Sequence, residues 1–165
     1  MVTLLLACLW LPAIQAGVSS HMQVAHIMPD VVLCVVVIWS MLIGGTEALL
    51  VGFFAGLILD LVSGNPLGVT ALALVTVSLL TGNWRRGLRR TNPILQSVAV
   101  FIASLVYYSV LLLVIDSLDA HVAWWDVLLT VAIPSGLLNV IIALPLSAAL
   151  HRTATWLNGP IISVR

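Results

Sequence analysis

Long apolar runs, separated by short polar segments, set the pattern of this chain. Each run approaches the roughly 20 residues that a helix needs to cross a membrane core of about 30 Å. The pattern predicts an all-α polytopic membrane helical bundle, with about six transmembrane helices in a single domain over residues 1–165. The predicted helices cover roughly residues 2–18, 29–43, 47–62, 67–82, 93–115 and 127–150.

Proline, glycine and small polar residues mark the boundaries of the second and third helices. Pro29 suits a first helical turn, and Asp30 beside it favours the positive end of the helix dipole. Gly44 and Gly45 predict a tight turn, after which Thr46 is a candidate cap. One continuous helix through both spans would be about 50 Å long, which is too long for a bilayer.

The first apolar run has two interpretations. Residues 13–17 read Ala-Ile-Gln-Ala-Gly and resemble the small-residue cleavage site of a signal peptide. No Lys or Arg precedes the run, so the basic segment typical of signal peptides is missing. We expect a retained first helix, and cleavage would leave five helices with the same sidedness.

Composition supports a membrane protein and excludes several other classes. Hydrophobic residues make up 62% of the chain and charged residues only 7%, whereas soluble domains carry about 25% charged residues. So few polar groups cannot cover a soluble globule, and the length leaves no room for an extramembrane catalytic domain. The formal net charge of zero gives nucleic-acid binding no electrostatic basis.

The arginines predict the orientation in the membrane. Most lie in the loop before the fifth helix, and the remainder lie in the C-terminal tail, so the positive-inside rule places both segments in the cytoplasm. The N-terminus is then cytoplasmic, and the break at residues 63–68 faces outside. The loop arginines form a predicted cytoplasmic anchor that is also suited to anionic lipid headgroups: Arg85, Arg86, Arg89 and Arg90.

Small residues recur on one face of the third predicted helix. Ala48, Gly52, Gly56 and Asp60 are spaced four apart and therefore share a face. The two glycines form a GxxxG pair, which allows another helix to approach closely. This face is a candidate for helix packing within the chain or for docking of a partner's transmembrane helix.

Asp60 is an ionisable residue at membrane depth, which makes it a functional candidate. We expect its partners to be N–H groups of the following turn or of the fourth helix, whose positive dipole end is near. A proton or ion relay is the alternative. A relay needs more than one carboxylate in the bundle, and Glu47 lies towards the opposite interface. The predicted structural turn comprises Ser63, Gly64, Asn65, Pro66, Leu67 and Gly68.

Polar residues also mark the fifth and sixth predicted helices. Asn139, near the middle of the sixth, needs a hydrogen-bond partner. The fifth predicted helix contains Gln96, Ser104, Tyr107 and Tyr108. These side chains could form hydrogen bonds between helices or line a small cavity. The sequence predicts no metal, cofactor or catalytic site, because histidines and cysteines lack metal-ligand spacing and no nucleophile–base pattern is present.

Two segments resemble the MreD family, the membrane subunit of the bacterial rod-shape system. One is Pro29-Asp30, and the other is residues 52–68, Gly-Phe-Phe-Ala-Gly-Leu-Ile-Leu-Asp-Leu-Val-Ser-Gly-Asn-Pro-Leu-Gly. The family has a similar glycine-rich helix that ends in Asp, followed by Ser-Gly, a variable residue and Pro-Leu-Gly. The specific resemblance covers residues 29–68, and the remainder agrees in hydropathy and layout.

The resemblance implies a non-catalytic protein of the bacterial cytoplasmic (inner) membrane. Its implied partner is MreC, which has one transmembrane helix and a periplasmic domain. Further implied partners are MreB, RodA and a class B penicillin-binding transpeptidase, in the complex that synthesises peptidoglycan during elongation. The implied fold is similar to the substrate-binding component of energy-coupling-factor transporters, so a vitamin-type small-molecule carrier is the alternative function.

Overall fold

The computed structural model describes residues 30–42, 45–64, 66–84, 93–117 and 123–158. Regular structure in these residues is helical throughout. The helices are α1 (Val31–Leu42), α2 (Gly45–Ser63), α3 (Val69–Trp84), α4 (Pro93–Asp116), α5 (Trp124–Val127) and α6 (Ile133–Asn158), and a π-helical turn at Leu128–Ala132 joins the last two. The predicted first helix, its cleavage alternative and the arginine anchor lie outside the described residues.

Helix α1 lies at the centre of the bundle. Its sequence is apolar on all sides, which is typical of a helix surrounded by other helices. Ten of its twelve side chains are buried, and it contacts α2, α3, α4 and α6. The core of the described structure is therefore built around this short helix.

Two helix pairs enclose α1. The most extensive packing joins α2 to α3 and α4 to α6, and α3 also packs against α4. Large apolar side chains cover the outward faces of these helices, including Phe53, Phe54, Leu113, Leu137 and Ile141. Such surfaces suit a hydrocarbon solvent rather than water.

The described part of the chain contains two helices long and apolar enough to cross a membrane. They cover Ile94–Asp116 and Trp124–Leu150, and the apolar segments Val31–Leu42, Ala48–Ser63 and Val69–Gly82 are shorter. The all-helical architecture and the apolar surface agree with the predicted membrane helical bundle. The count of six spans and the orientation remain predictions.

The boundaries of α2 and α3 differ slightly from the predicted ones. Gly45 and Thr46 belong to α2 rather than to a turn, so Thr46 is not the cap that the sequence suggested. Leu67 and Gly68 lie in the turn, and α3 begins at Val69. The positive φ of Gly68, 98°, interrupts helical geometry at this point.

The last predicted helix is longer than expected at both ends. The sequence predicts a helix over residues 127–150, but helical structure runs from Trp124 to Asn158. A carboxylate such as Asp126 is favourable in a first helical turn. At the other end, α6 runs to Asn158, and the sequence between Leu150 and Asn158 contains no glycine or proline.

A π-helical turn, Leu128–Ala132, precedes Pro134 in this long helical segment. Proline has no N–H group and cannot donate the regular bond of an α-helix, so the ladder must adjust around it. A π-turn is one such adjustment. Pro145, in contrast, lies within α6 without ending it.

Candidate functional site

Asp60 bridges the end of α2 and the beginning of α3. Its side chain is fully buried, and its oxygens accept hydrogen bonds from three backbone N–H groups. Oδ1 accepts from Thr70 (3.0 Å), and Oδ2 accepts from Gly68 (2.9 Å) and from Ala71 (3.4 Å). These amides belong to the residues around the first turn of α3, which have no partners within their own helix.

The carboxylate therefore caps α3 from a neighbouring helix. Residues that precede a helix usually provide this cap with their own side chains, but Gly68 has none. Asp60 supplies the missing acceptor and places negative charge at the positive end of the α3 dipole. The amides of the turn and of the following helix, which the sequence indicated as its partners, are the groups that bond to it.

The small-residue face of α2 packs against α3. A Cβ atom placed on Gly52 would lie 2.9 Å from Ser78 Oγ, and one on Gly56 would lie 2.6 Å from the backbone nitrogen of Ala71. Ala48 is fully buried, and its carbonyl accepts a bond from Ser78 Oγ. Of the two roles considered for this face, the structure shows packing within the chain, and α3 occupies the space of a partner helix.

The turn between α2 and α3 depends on two left-handed glycines. Gly64 has a φ of 69° and follows the last residue of α2, where glycine commonly ends a helix. Gly68 has a φ of 98°, and its N–H bonds to Asp60. Ser63, Pro66 and Leu67 are exposed, whereas Asn65 lies outside the described residues. The hydrogen bond to Asp60 thus fixes one side of the turn, and the opposite side is exposed.

A second buried polar cluster surrounds Asn139 of α6. Its Oδ1 accepts the backbone N–H of Asp30 at 2.7 Å, and its Nδ2 donates to Ser104 Oγ of α4 at 3.0 Å. The Cys34 thiol lies 3.5 Å from the Asn139 carbonyl oxygen. Asn139 thereby connects α6 both to α4 and to the beginning of α1.

Tyr107 brings the two clusters together. Its side chain lies near the side chains of Asp30 and Thr70. Thr70 in turn donates its backbone N–H to Asp60. Asp30 and Thr70, the residue that bonds to Asp60, are therefore both neighbours of one tyrosine of α4.

Two further contacts were not anticipated from the sequence. A Cβ on Gly136 of α6 would lie 3.1 Å from the Phe101 ring of α4, and Ser40 Oγ lies 2.5 Å from Thr81 Oγ1. The residue four positions after Gly136 is Val140, and the one four positions before it is Ala132, so no GxxxG pair marks this glycine. The spacing of residues in the sequence could not have predicted either contact.

The arrangement as a whole is suited to holding helices together. Both oxygens of Asp60 and both polar atoms of the Asn139 amide bond to protein groups. No group of three or more potential metal ligands occurs in the part of the chain that the structure describes. The predicted anchor, Arg85 to Arg90, lies outside that part.

Comparison with known proteins identifies the family. The family model for the rod shape-determining protein MreD matches residues 1–151, which is most of the 165-residue chain. Searches of curated proteins and of solved structures gave no significant match. The chain therefore belongs to the MreD family of membrane proteins, whose role is in determining rod shape.

Proposed function

We propose that this protein is a non-catalytic membrane scaffold of the bacterial cell-elongation complex and that it binds MreC. Membership of the MreD family supports a role in rod shape. The observation that carries the proposal concerns Asp60, the buried carboxylate in the segment that resembles the MreD family (residues 52–68). Its side chain serves as a structural hydrogen-bond acceptor. With three backbone donors around it, Asp60 fixes the geometry of a turn.

The proposed docking surface is the exposed side of that turn. The packing of α3 on the glycine face of α2 supports a docking surface for MreC elsewhere on the molecule. Leu61, Val62 and Leu67 expose 69%, 60% and 68% of their surface. Leu67 belongs to the turn that Asp60 holds, so its position is set by the same bonds. A fixed apolar side chain at the end of two helices suits a partner that emerges from the membrane beside it.

The proposed topology places this turn on the periplasmic side. Six helices, with both termini and the arginine loop in the cytoplasm, follow from the positive-inside rule. The protein would then lie in the inner membrane, where MreC, RodA and the class B transpeptidase expose their extracytoplasmic parts. MreB would approach from the cytoplasmic side.

The alternative is a small-molecule carrier with a fold like that of energy-coupling-factor substrate-binding components. The polar residues of α4 and α6 were the candidate lining of its cavity. Asn139 and Ser104 instead bond to each other, and Tyr107 is buried among the helices. The use of these polar groups in packing favours the scaffold over the carrier.

The test is a pull-down of the tagged chain from its native membranes in mild detergent, followed by mass spectrometry. The scaffold proposal expects MreC together with cell-wall synthases. Recovery of a transporter's ATPase pair, or of a tightly bound vitamin without wall enzymes, would contradict it and favour the carrier.

A point variant locates the docking surface. Leu67→Ser should reduce recovery of MreC several-fold while leaving thermal stability unchanged, because the side chain is mostly exposed. Leu137→Ser is the matched control, since Leu137 is exposed on α6, far along the chain from the turn. Equal recovery of MreC with both variants would remove Leu67 from the interface.

A further inference from the structure

An apolar groove lies between α3 and α4. It has a volume of about 160 Å³ and is lined by Val77, Leu80, Thr81, Ala99, Ile102, Ala103 and Val106. Its floor is buried, because Val77, Ala99 and Ala103 expose almost no surface. An apolar cavity of about 150 Å³ is large enough to hold a benzene molecule, so this groove accommodates a segment of hydrocarbon chain.

No polar atom of the lining residues is exposed in the groove. The only polar side chain among them is Thr81, and its hydroxyl interacts with the Val77 carbonyl at 2.8 Å and with Ser40 Oγ at 2.5 Å. The groove therefore offers dispersion contacts alone. This chemistry selects an apolar occupant and excludes a polar metabolite.

The groove opens on the outer surface of the bundle. Leu80 and Ile102 form its rim and expose 45% and 39% of their surface, and the neighbouring Leu79 and Val98 are also exposed and apolar. In a membrane protein, such a surface contacts acyl chains. At 1.5 Å per residue from the facing ends of α3 and α4, the lining residues lie from about 5 Å (Thr81) to about 20 Å (Val106) from those ends. The groove therefore runs from near the loop between the two helices to about the middle of a core of about 30 Å.

Charge indicates which lipid the groove prefers. The groove lies near the C-terminal end of α3 and the N-terminal half of α4. The sequence between these helices contains four arginines and no acidic residue. The groove therefore begins in the leaflet next to this positive charge. Because arginines beside a membrane attract anionic headgroups, we expect anionic lipids at the mouth of the groove.

From the apolar lining of the groove and the positive charge beside it, we propose that the groove binds an acyl chain of an anionic phospholipid from that leaflet. The lipid would fill the space between α3 and α4, where the described helices leave their packing incomplete. The inference is independent of the proposed partner MreC, since it rests on a different pair of helices from the turn after α2.

The experiment uses the full chain in nanodiscs that contain a phospholipid with a photoactivatable diazirine in its acyl chain. Phosphatidylglycerol and phosphatidylcholine with the same labelled chain are compared, and the cross-linked peptides are mapped by mass spectrometry. We expect labelling at Leu80 and Ile102 to be at least fivefold stronger with phosphatidylglycerol. Unlabelled phosphatidylglycerol should compete for it.

Variants separate the groove from the general lipid surface. Ala103→Leu fills the floor and should reduce this labelling at least fivefold, whereas Ala148→Leu, at an exposed position of α6, should not. If Ala103→Leu fails to fold, the double variant Leu80→Ala, Ile102→Ala removes the exposed rim instead. Replacing all four loop arginines with glutamine should lower phosphatidylglycerol labelling to the phosphatidylcholine level.

Three results would overturn the proposal. One is labelling spread evenly over other exposed apolar residues, such as Phe53 and Phe54, which indicates only a lipid shell around the protein. Another is equal labelling of the groove by both lipids, which removes the selection by charge. The last is a groove shielded from both lipids and cross-linked to a partner's transmembrane helix or to residues 2–18.

Discussion

The carboxylate of Asp60, at the end of α2, accepts the backbone N–H of Thr70, in the first turn of α3, over 3.0 Å. This bond and those from Gly68 and Ala71 close the α2–α3 hairpin at one end. Along the rest of the pair, Gly56 and Gly52 allow the two backbones to approach closely. The buried Asp60 carboxylate and the small size of Gly52 and Gly56 thus both hold α2 close to α3.

Replacing Asp60 with asparagine should destabilise the protein. The asparagine amide retains one acceptor oxygen, and its NH₂ group would face a backbone N–H donor without bonding to it. Leaving buried donors unpaired costs about 1–3 kcal/mol, so the free energy of unfolding in detergent should fall by that amount. Asp126→Asn is the matched control because Asp126 is exposed, and an equal effect of both changes would contradict the capping role.

Gly52→Ala should destabilise the hairpin in a way that a second change relieves. The added Cβ would lie 2.9 Å from Ser78 Oγ, and such overpacking costs about 1–3 kcal/mol. In the double variant Gly52→Ala, Ser78→Ala the clashing oxygen is gone, so thermal unfolding should return most of the way to the Ser78→Ala value. Purely additive effects of the two substitutions would argue against the observed packing.

Gly56→Ala should be more harmful, and no side-chain deletion in α3 should rescue it. The added Cβ would meet backbone atoms, 2.6 Å from Ala71 N and 3.0 Å from the Thr70 carbonyl carbon. The helices must then separate, which also strains the bonds to Asp60. Thermal unfolding of Gly56→Ala, with Gly52→Ala as reference, checks the order. A smaller effect at Gly56 than at Gly52 would contradict the close backbone contact at this glycine.

Much of the candidate site could be predicted from the sequence because its determinants are local. Asp60 lies only eight to eleven residues before the amides that it binds, so the turn glycines and the helix start after them indicate its partners. The four-residue spacing of Ala48, Gly52 and Gly56 likewise defines a face. Helix geometry alone places these residues together.

The identity of the neighbour on that face was not predictable in the same way. A GxxxG face fits any helix that approaches closely, and the closeness of Gly52 to Ser78 and of Gly56 to Ala71 shows that α3 fills it. The proximity of Tyr107 to Asp30 and Thr70 brings together residues far apart in the chain. Their proximity depends on how α1, α3 and α4 pack, which spacing within one helix does not reveal.

The ends of the last helical segment show a different limit. Trp124, Trp125 and Asp126 have the composition of an interfacial loop, yet they form α5. Hydropathy marks where lipid contact stops, whereas the helix stops where its hydrogen-bond ladder is interrupted. For this reason the apolar boundary at Leu150 and the helix end at Asn158 differ.

The bond between Asn139 and Ser104 should show measurable coupling in a double-mutant cycle. Asn139→Ala removes the acceptor for the Asp30 N–H as well as the donor to Ser104, so it should destabilise the protein more than Ser104→Ala does. Within membranes, polar contacts between helices average about 0.6 kcal/mol and reach about 1.7 kcal/mol. We expect a coupling energy in that range from unfolding in detergent, because each single change removes the same bond.

Ser109→Ala is the control for this cycle, because Ser109 lies on the same helix as Ser104 but bonds differently. Among the hydrogen bonds of the described residues, Ser109 Oγ bonds only to the Leu105 carbonyl of its own helix. Its removal should therefore leave the contribution of Asn139 unchanged. Coupling of Asn139 to Ser109 as strong as its coupling to Ser104 would show that the cycle reports a general loosening of α4 rather than this bond.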